Sequence, residues 1–419
     1  MGSRHDTGRE EQGRRRWGVQ TMVAATLLAV TALTSTATAP AQTRAPEVGP
    51  PEASARWLQV DAGFLHTCGI TTAHRLYCWG FDGNGLLGQG GTGPRNRRVP
   101  VEVAGHTADW AQVSAGYDQT CAVKTDHRLF CWGQDTLGDL GNGPGQGDSR
   151  VPVEVAGHTA DWAEVAAGGN TCAVKTSGRL YCWGRDDLGG VGDGGTRGDA
   201  QSPVEVVGSR TDWQSVSAGR GHLCALTTDH RIRCWGFDFF GQVGDNEARS
   251  NRTSPTPVAG DAANWASVSV GDDHTCASKQ SGRLFCWGHD HLGQLAAPGQ
   301  DVFDRGTPTE VQRNRTDWAG VASGAGHTCA TRTSGRLYCW GGTWRAAIGR
   351  DIAFDIQFTP RQVPGDFTDW AAVTAGLAHT CARRTNGVLY CFGNNEFGQT
   401  GTGSTARKVV GPVRVALGA

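Results

Sequence analysis

From Trp57 onward the apolar and polar residues of this chain alternate in short runs with a period of two. That period sends successive side chains to opposite faces of an extended strand, so the pattern predicts all-β structure. Helical periodicity is confined to the N-terminus. In TCAVKTSGRLYCW, residues 171 to 183, Val174, Leu180 and Tyr181 have strand propensity and Ser177-Gly178 marks a turn. If Thr176, Ser177 and Gly178 form a three-residue loop with a left-handed last residue, Lys175 opposes Arg179 and Cys172 opposes Cys182. The turn position is held by Gly178, Gly282, Gly335 and Gly387, and elsewhere by His74, His127 and His230. Gly enters the positive-φ region freely, and His is among the residues enriched there.

The same phrase returns seven times. Trp57, Trp110, Trp162, Trp213, Trp265, Trp318 and Trp370 recur in steps of 51 to 53 residues. After each come a Val and a Gly, a first Cys, a turn, a second Cys usually followed by Trp-Gly, a Gly-rich loop, and a Pro-led strand such as PVEV at 152 to 155. Seven copies of one unit bury a core only by stacking on one another, so residues 57–419 are expected to form one domain. A Trp-x-x-Val strand, a strand around each cysteine and the Pro-led strand give four strands per unit, and seven such sheets can close radially with few exposed edges.

The N-terminus carries Arg14, Arg15 and Arg16, then an apolar run, then small residues ending at Ala39-Pro40-Ala41. This is the layout of a secretory signal peptide over residues 1–41, too short to favour a permanent anchor. Residues 42–56 are rich in Pro and Ala and read as a linker. Removing residues 1–41 takes away five Arg and three acidic residues and moves the formal charge from −1 to −3. A near-neutral domain has no basic field for nucleic acid or acidic lipid, and no membrane association is expected after cleavage.

All fourteen cysteines fall into seven pairs: Cys68 with Cys78, Cys121 with Cys131, Cys172 with Cys182, Cys224 with Cys234, Cys276 with Cys286, Cys329 with Cys339, and Cys381 with Cys391. Directly opposed strand residues lie within disulfide reach, and an exported chain meets oxidising conditions. One staple per hairpin is expected. Clustered Cys-x2-4-Cys spacing for zinc is absent, and a redox site calls for one special pair, not seven equal ones.

The phrases Gly-x-x-His-Thr-Cys-Ala, Gly-Arg-Leu-Tyr-Cys-Trp-Gly and Gly-Gln-Leu-Gly, best seen in GDDHTCASKQSGRLFCWGHDHLGQL at 271 to 295, resemble the regulator-of-chromosome-condensation repeat. The resemblance covers about residues 55 to 418 and implies a seven-bladed β-propeller with four-stranded blades. Departures are local: Phe392 stands where Trp follows the second Cys, and the sixth unit reads GGTWRAAIG in place of Gly-Gln-Leu-Gly. The family's founding members promote nucleotide exchange on a small GTPase, but no exchange motif matches this chain residue by residue.

Subtracting the repeated positions leaves few residues to explain. Among tryptophans outside the leader only Trp344 is left over, and among histidines only His289 and His291. These fall directly after Trp-Gly, where units four to six place Phe237, Phe239, His289, His291 and Trp344 at the first and third loop positions. Both positions are expected to point outward, with the fourth, usually Leu or Phe, in the core. The loops should share a face with the Gly-x-x-His turns carrying Arg220, Asp272 and Asp273, giving an aromatic arc ringed by charge, the composition of a protein-binding patch. The repeated Asp82, Asp135, Asp186, Asp238 and Asp290 read as Asx-turn residues. His66, His222, His274, His327 and His379 share one slot and are expected to hold their blade turns by hydrogen bonds, in preference to ligating a metal.

No nucleophile elbow, phosphate loop or zinc helix is present, and Asp272 and Asp273, adjacent in sequence, point apart and so fit a glycosidase carboxylate pair poorly. The expected protein is a monomeric, secreted, non-enzymatic binding scaffold with no catalytic residue, cofactor or metal, whose partner is an extracellular protein or cell-surface component. The alternatives are nucleotide exchange on a small GTPase and a glycan-directed hydrolase.

Overall fold

The computed structural model describes residues 56–417 except 92, 94, 197, 248, 249, 298, 300, 301 and 353–355. The expected signal peptide and all but the last residue of the expected linker lie outside the described residues. Seven antiparallel four-stranded sheets form the blades of a propeller. The first blade is β1 (Trp57–Ala62), β2 (His66–Thr71), β3 (Leu76–Gly80) and β4 (Arg97–Glu102), paired in that order. The seventh, Trp370–Ala375, His379–Arg384, Leu389–Asn394 and Lys408–Arg414, is likewise one contiguous stretch. The ring therefore closes by contact between two complete blades, without exchange of a strand.

The hairpin register follows from the turns. Cys172 faces Cys182 with Cα atoms 4.0 Å apart, Lys175 N–H donates to the Arg179 carbonyl, and Gly178 has φ +75°. His127 takes the same place with φ +66°. All seven expected disulfides are formed and no cysteine is free. The outermost strand differs from expectation. It begins ahead of its proline, as in Ser149–Glu154, where Pro152 sits in the fourth position. Proline lacks the ladder N–H, and an outermost strand tolerates it because one edge of that strand has no partner.

The core lies between blades. Cys68, Ile70, Leu76 and Cys78 of blade 1 pack with Trp110, Val113 and Trp132 of blade 2. The seam repeats this grouping, with Cys381, Leu389 and Cys391 of blade 7 against Trp57 and Trp79 of blade 1. The middle strands are buried on both faces by their neighbours, which is why β2 is buried throughout although its sequence, HTCGIT, is half polar.

That burial is satisfied by bonds that cross to the next blade. His66 Nε2 lies 2.8 Å from Thr120 Oγ1, and the pairs His222–Thr275, His274–Thr328, His327–Thr380 and His379–Thr67 repeat the contact at 2.8 to 2.9 Å. The shared-slot histidines thus bridge blades; they do not hold their own turns as expected. Each threonine in turn donates to a loop carbonyl, Thr67 to Gln399 and Thr120 to Leu86, so it accepts from the imidazole N–H. Burial drives these imidazoles down to about 3 or 4, so they are neutral donors. In blade 2 Gln119 bonds Thr171 in the same way. Between blades 3 and 4 both members change together: Asn170 turns to the carbonyls of Trp183 and Arg185, and Leu223 stands where the threonine would be.

Candidate functional site

The third strand of each blade has, at its end or one residue before it, a positive-φ glycine that bends the chain onto one face. At Gly80, φ is +106° and an added Cβ would come within 2.7 Å of the Leu65 carbonyl oxygen. The following N–H then bonds the turn that precedes the shared slot: Phe237 to Gly221 at 2.7 Å, His289 to Asp273 at 2.8 Å, and Gly342 to Gly326 at 2.7 Å. The post-Trp-Gly loops and the Gly-x-x-His turns therefore share a face, as expected.

In blades 1 to 5 the repeated aspartate organises this loop. Asp238 Oδ1 accepts from the N–H of Val243 at 2.8 Å and Asp290 Oδ1 from that of Leu295 at 2.9 Å, five residues on in both cases. This span is longer than the Asx turn expected from the sequence. The aspartate's own N–H donates to a second carboxyl or amide thirteen or fourteen residues later, Asn96, Asp148, Asp199, Asn251 or Asp304 according to the blade. Two anchors on one short loop bring the first and third side chains together: Gln134 bonds Thr136, Arg185 bonds Asp187, Phe237 stacks on Phe239 and His289 stacks on His291.

Phe239, His291 and Trp344 are exposed, and Phe237 and His289 are half-buried. The fourth loop residue is not in the core. Leu292 is 42 % exposed, and Phe240 is half-buried with its ring 4.2 Å from that of His289. The core position is instead the residue held by the aspartate, Leu140, Val191, Val243 or Leu295, which is fully buried. The fourth residue leans onto the next blade's loop, as Phe397 does on Phe81, with ring centroids 5.0 Å apart. A continuous arc results: Phe239, Phe237, Phe240, His289 and His291. Trp344 has no described ring contact with it; Leu292 approaches Gly342 between them. Phe240 and Leu292 were missed as surface residues because their apolar character alone reads as core.

Arg220, Asp272 and Asp273 lie inward of this arc. Burial raises both carboxyls above the usual carboxylate range, and the charge of the exposed Arg220 partly offsets this. Asp272 lines the mouth of the central channel with Phe64, Tyr117 and Leu377. Burial pushes the Asp272 carboxyl up to about 6, with Tyr117 of blade 2 partly offsetting this. Tyr117 stacks on Phe64 at 4.4 Å. Inside the channel a polar cavity of about 250 Å³ is lined by Gln59, Asp61, Gln112, Glu164, Ser217 and Thr374 among others. Burial raises Glu164 to about 7.

Among the described residues one grouping has metal-ligand character: one ligand atom each from His289, His291 and Asp304 lie within 4.8 Å of one another. His289 Nδ1 is 3.1 Å from Asp304 Oδ1.

The fold is a closed ring of seven four-stranded blades whose loops of differing sequence share one face. The chain belongs to the RCC1-like domain family, whose description matches residues 151–419. The Regulator of chromosome condensation (RCC1) repeat matches residues 73–123 and 126–174, and in a second form 57–86 and 110–139. Among curated proteins the chain is similar to the ultraviolet-B receptor UVR8 of Arabidopsis thaliana, 29% identical over 361 residues covering 83% of this chain and 79% of that one. It is also similar to the human E3 ubiquitin-protein ligase HERC2, 24% identical over 348 residues, which are 80% of this chain but 7% of HERC2. Among solved structures it resembles Prp20p of Saccharomyces cerevisiae, described with its binding to Gsp1p and histones, with TM-score 0.72, 20% identity and coverage of 86% and 87%. Human WBSCR16 gives TM-score 0.71, 21% identity and coverage of 82% and 95%. At these identities the solved structures show a common fold. The seven disulfides, which use every cysteine, are the chemistry of an oxidising compartment.

Proposed function

We propose that this chain is a secreted, monomeric, non-enzymatic binding scaffold. Residues 1–41 act as a signal peptide, 42–56 as a linker, and the propeller presents Phe237, Phe239, His289, His291 and Trp344, with Arg220, Asp272 and Asp273 beside them, to an extracellular protein. The contiguous arc from Phe239 to His291 carries the reading. Exposed, mutually packed aromatic rings next to charge offer large contact area at little conformational cost, the chemistry of interface hot spots. Prp20p, a structural neighbour that binds Gsp1p and histones, lends support at the level of the scaffold.

A photo-crosslinker placed at His291 should trap one protein from the extracellular fraction of the producing cells. Phe239→Ala with Trp344→Ala should lower its affinity at least tenfold with the melting curve unchanged. Equal affinity in the double variant refutes the site. A full-length intracellular chain with fourteen alkylatable thiols refutes secretion.

A further inference from the structure

We propose that His289, His291 and Asp304 form a binding site for a divalent transition-metal ion, Zn²⁺ in the first instance. This goes beyond the scaffold role and stands whether or not the arc binds a protein.

Three loop positions are brought together by the backbone in blades 2 to 5. The first and third side chains touch in blades 2 to 5, and the second anchor, Asn96, Asp148, Asp199, Asn251 or Asp304, is fixed by the N–H of the repeated aspartate between them. The occupants in blade 2 are Gln134, Thr136 and Asp148, in blade 3 Arg185, Asp187 and Asp199, and in blade 4 Phe237, Phe239 and Asn251. Blade 5 alone among these sets two imidazoles and a carboxylate on the three positions. The scaffold that elsewhere makes a hydrogen bond, an ion pair or an aromatic stack here gathers nitrogen and oxygen ligands.

One of the three ligand separations already suits a small borderline ion. His289 Nδ1 and Asp304 Oδ1 are 3.1 Å apart, close to the roughly 3.3 Å edge of a tetrahedron with bonds of about 2.0 to 2.1 Å. An ion replaces the proton these two atoms share, with a shift of a few tenths of an ångström. His291 is exposed, which leaves its ring free to turn its nitrogen inward from the stacked position, 4.5 Å between centroids. Asp304 is already oriented by the Asp290 N–H at 3.2 Å, and His289 is backed by the Phe240 ring. Two imidazoles with one carboxylate favour Zn²⁺, Ni²⁺ or Cu²⁺ over Mg²⁺ or Ca²⁺, which prefer all-oxygen sites. All fourteen cysteines are in disulfides, so no thiolate competes.

Titration calorimetry of the full chain with ZnCl₂ at pH 7.5 tests this, with Co²⁺ absorption reporting coordination geometry. One ion should bind per chain, and both His291→Ala and Asp304→Asn should weaken it at least tenfold. Asparagine at 304 keeps the anchor for the Asp290 N–H, as Asn251 does for Asp238, so folding should be retained, which a melting curve checks. Asp148→Asn, the equivalent change in blade 2, should leave binding unchanged. Absence of Zn²⁺ binding, or an affinity unchanged in either blade-5 variant, overturns the proposal.

Discussion

His379 of the last blade lies with Nε2 2.9 Å from Thr67 Oγ1 of the first, across 312 residues of sequence. The same contact links four other pairs of neighbouring blades, so the seam is an ordinary interface. Around it, Trp79 Nε1 and Thr67 Oγ1 both donate to the Gln399 carbonyl, at 3.0 and 2.8 Å. Thr374 Oγ1 donates to Asp61 Oδ1 at 2.9 Å, while Asp61 Oδ2 accepts from Ala115 N–H of blade 2.

Removing the imidazole should open this seam first. His379→Ala is expected to cost about 1–3 kcal/mol at pH 8, the range for leaving buried groups unpaired. His379→Gln should be nearly neutral, because Gln119 makes the equivalent bond in blade 2. Urea unfolding of the three proteins decides between a seam bond and simple cavity effects.

The same pair reports acid sensitivity. Burial depresses His379 from 6.5 to about 3, so the unfolded chain takes up a proton that the folded chain refuses. Its stability contribution is whole above pH 6.5 and falls as pH drops toward the folded value. His379→Gln should therefore gain on the wild type by up to about 1.4 kcal/mol per pH unit below 6.5. A constant difference between pH 7.5 and 4.5 would contradict this.

Glu164 should behave with the opposite sign. Gln59 and Gln112, at the same strand position, each donate to and accept from the next blade's Val113 or Val165, whereas Glu164 accepts from Val216 N–H. Its carboxyl is raised from 4.5 to about 7, so its contribution is full below pH 4.5 and is lost as pH rises through 7. Glu164→Gln should stabilise the protein by on the order of 1–2 kcal/mol at pH 8.5 and by little at pH 4.5. Thermal melts at the two pH values test it.

The break in the His–Thr ring between blades 3 and 4 should be repairable only in concert. Asn170→His alone buries a donor against Leu223, and Leu223→Thr alone buries a hydroxyl beside an asparagine bonded elsewhere. The double variant should show a favourable coupling of about 0.5–3 kcal/mol in a double-mutant cycle. Additive single effects would mean that the two positions do not face one another in the required way.

The strands, the three-residue hairpins, the cysteine pairing and the seven units were legible in the residues themselves. Each depends on contacts within some ten positions, where a period of two, a positive-φ turn residue and the pairing geometry leave one register. Across blades the sequence carries no such ruler. Which threonine His379 meets, that Leu292 lies on the surface while Leu295 fills the core, and that Asp304 returns beside His289 all follow from how one twisted sheet is staggered on the next. Burial compounds this: Glu164 and Gln112 look alike as polar strand residues until the channel around them removes the water and leaves a carboxyl where an amide bonds both ways.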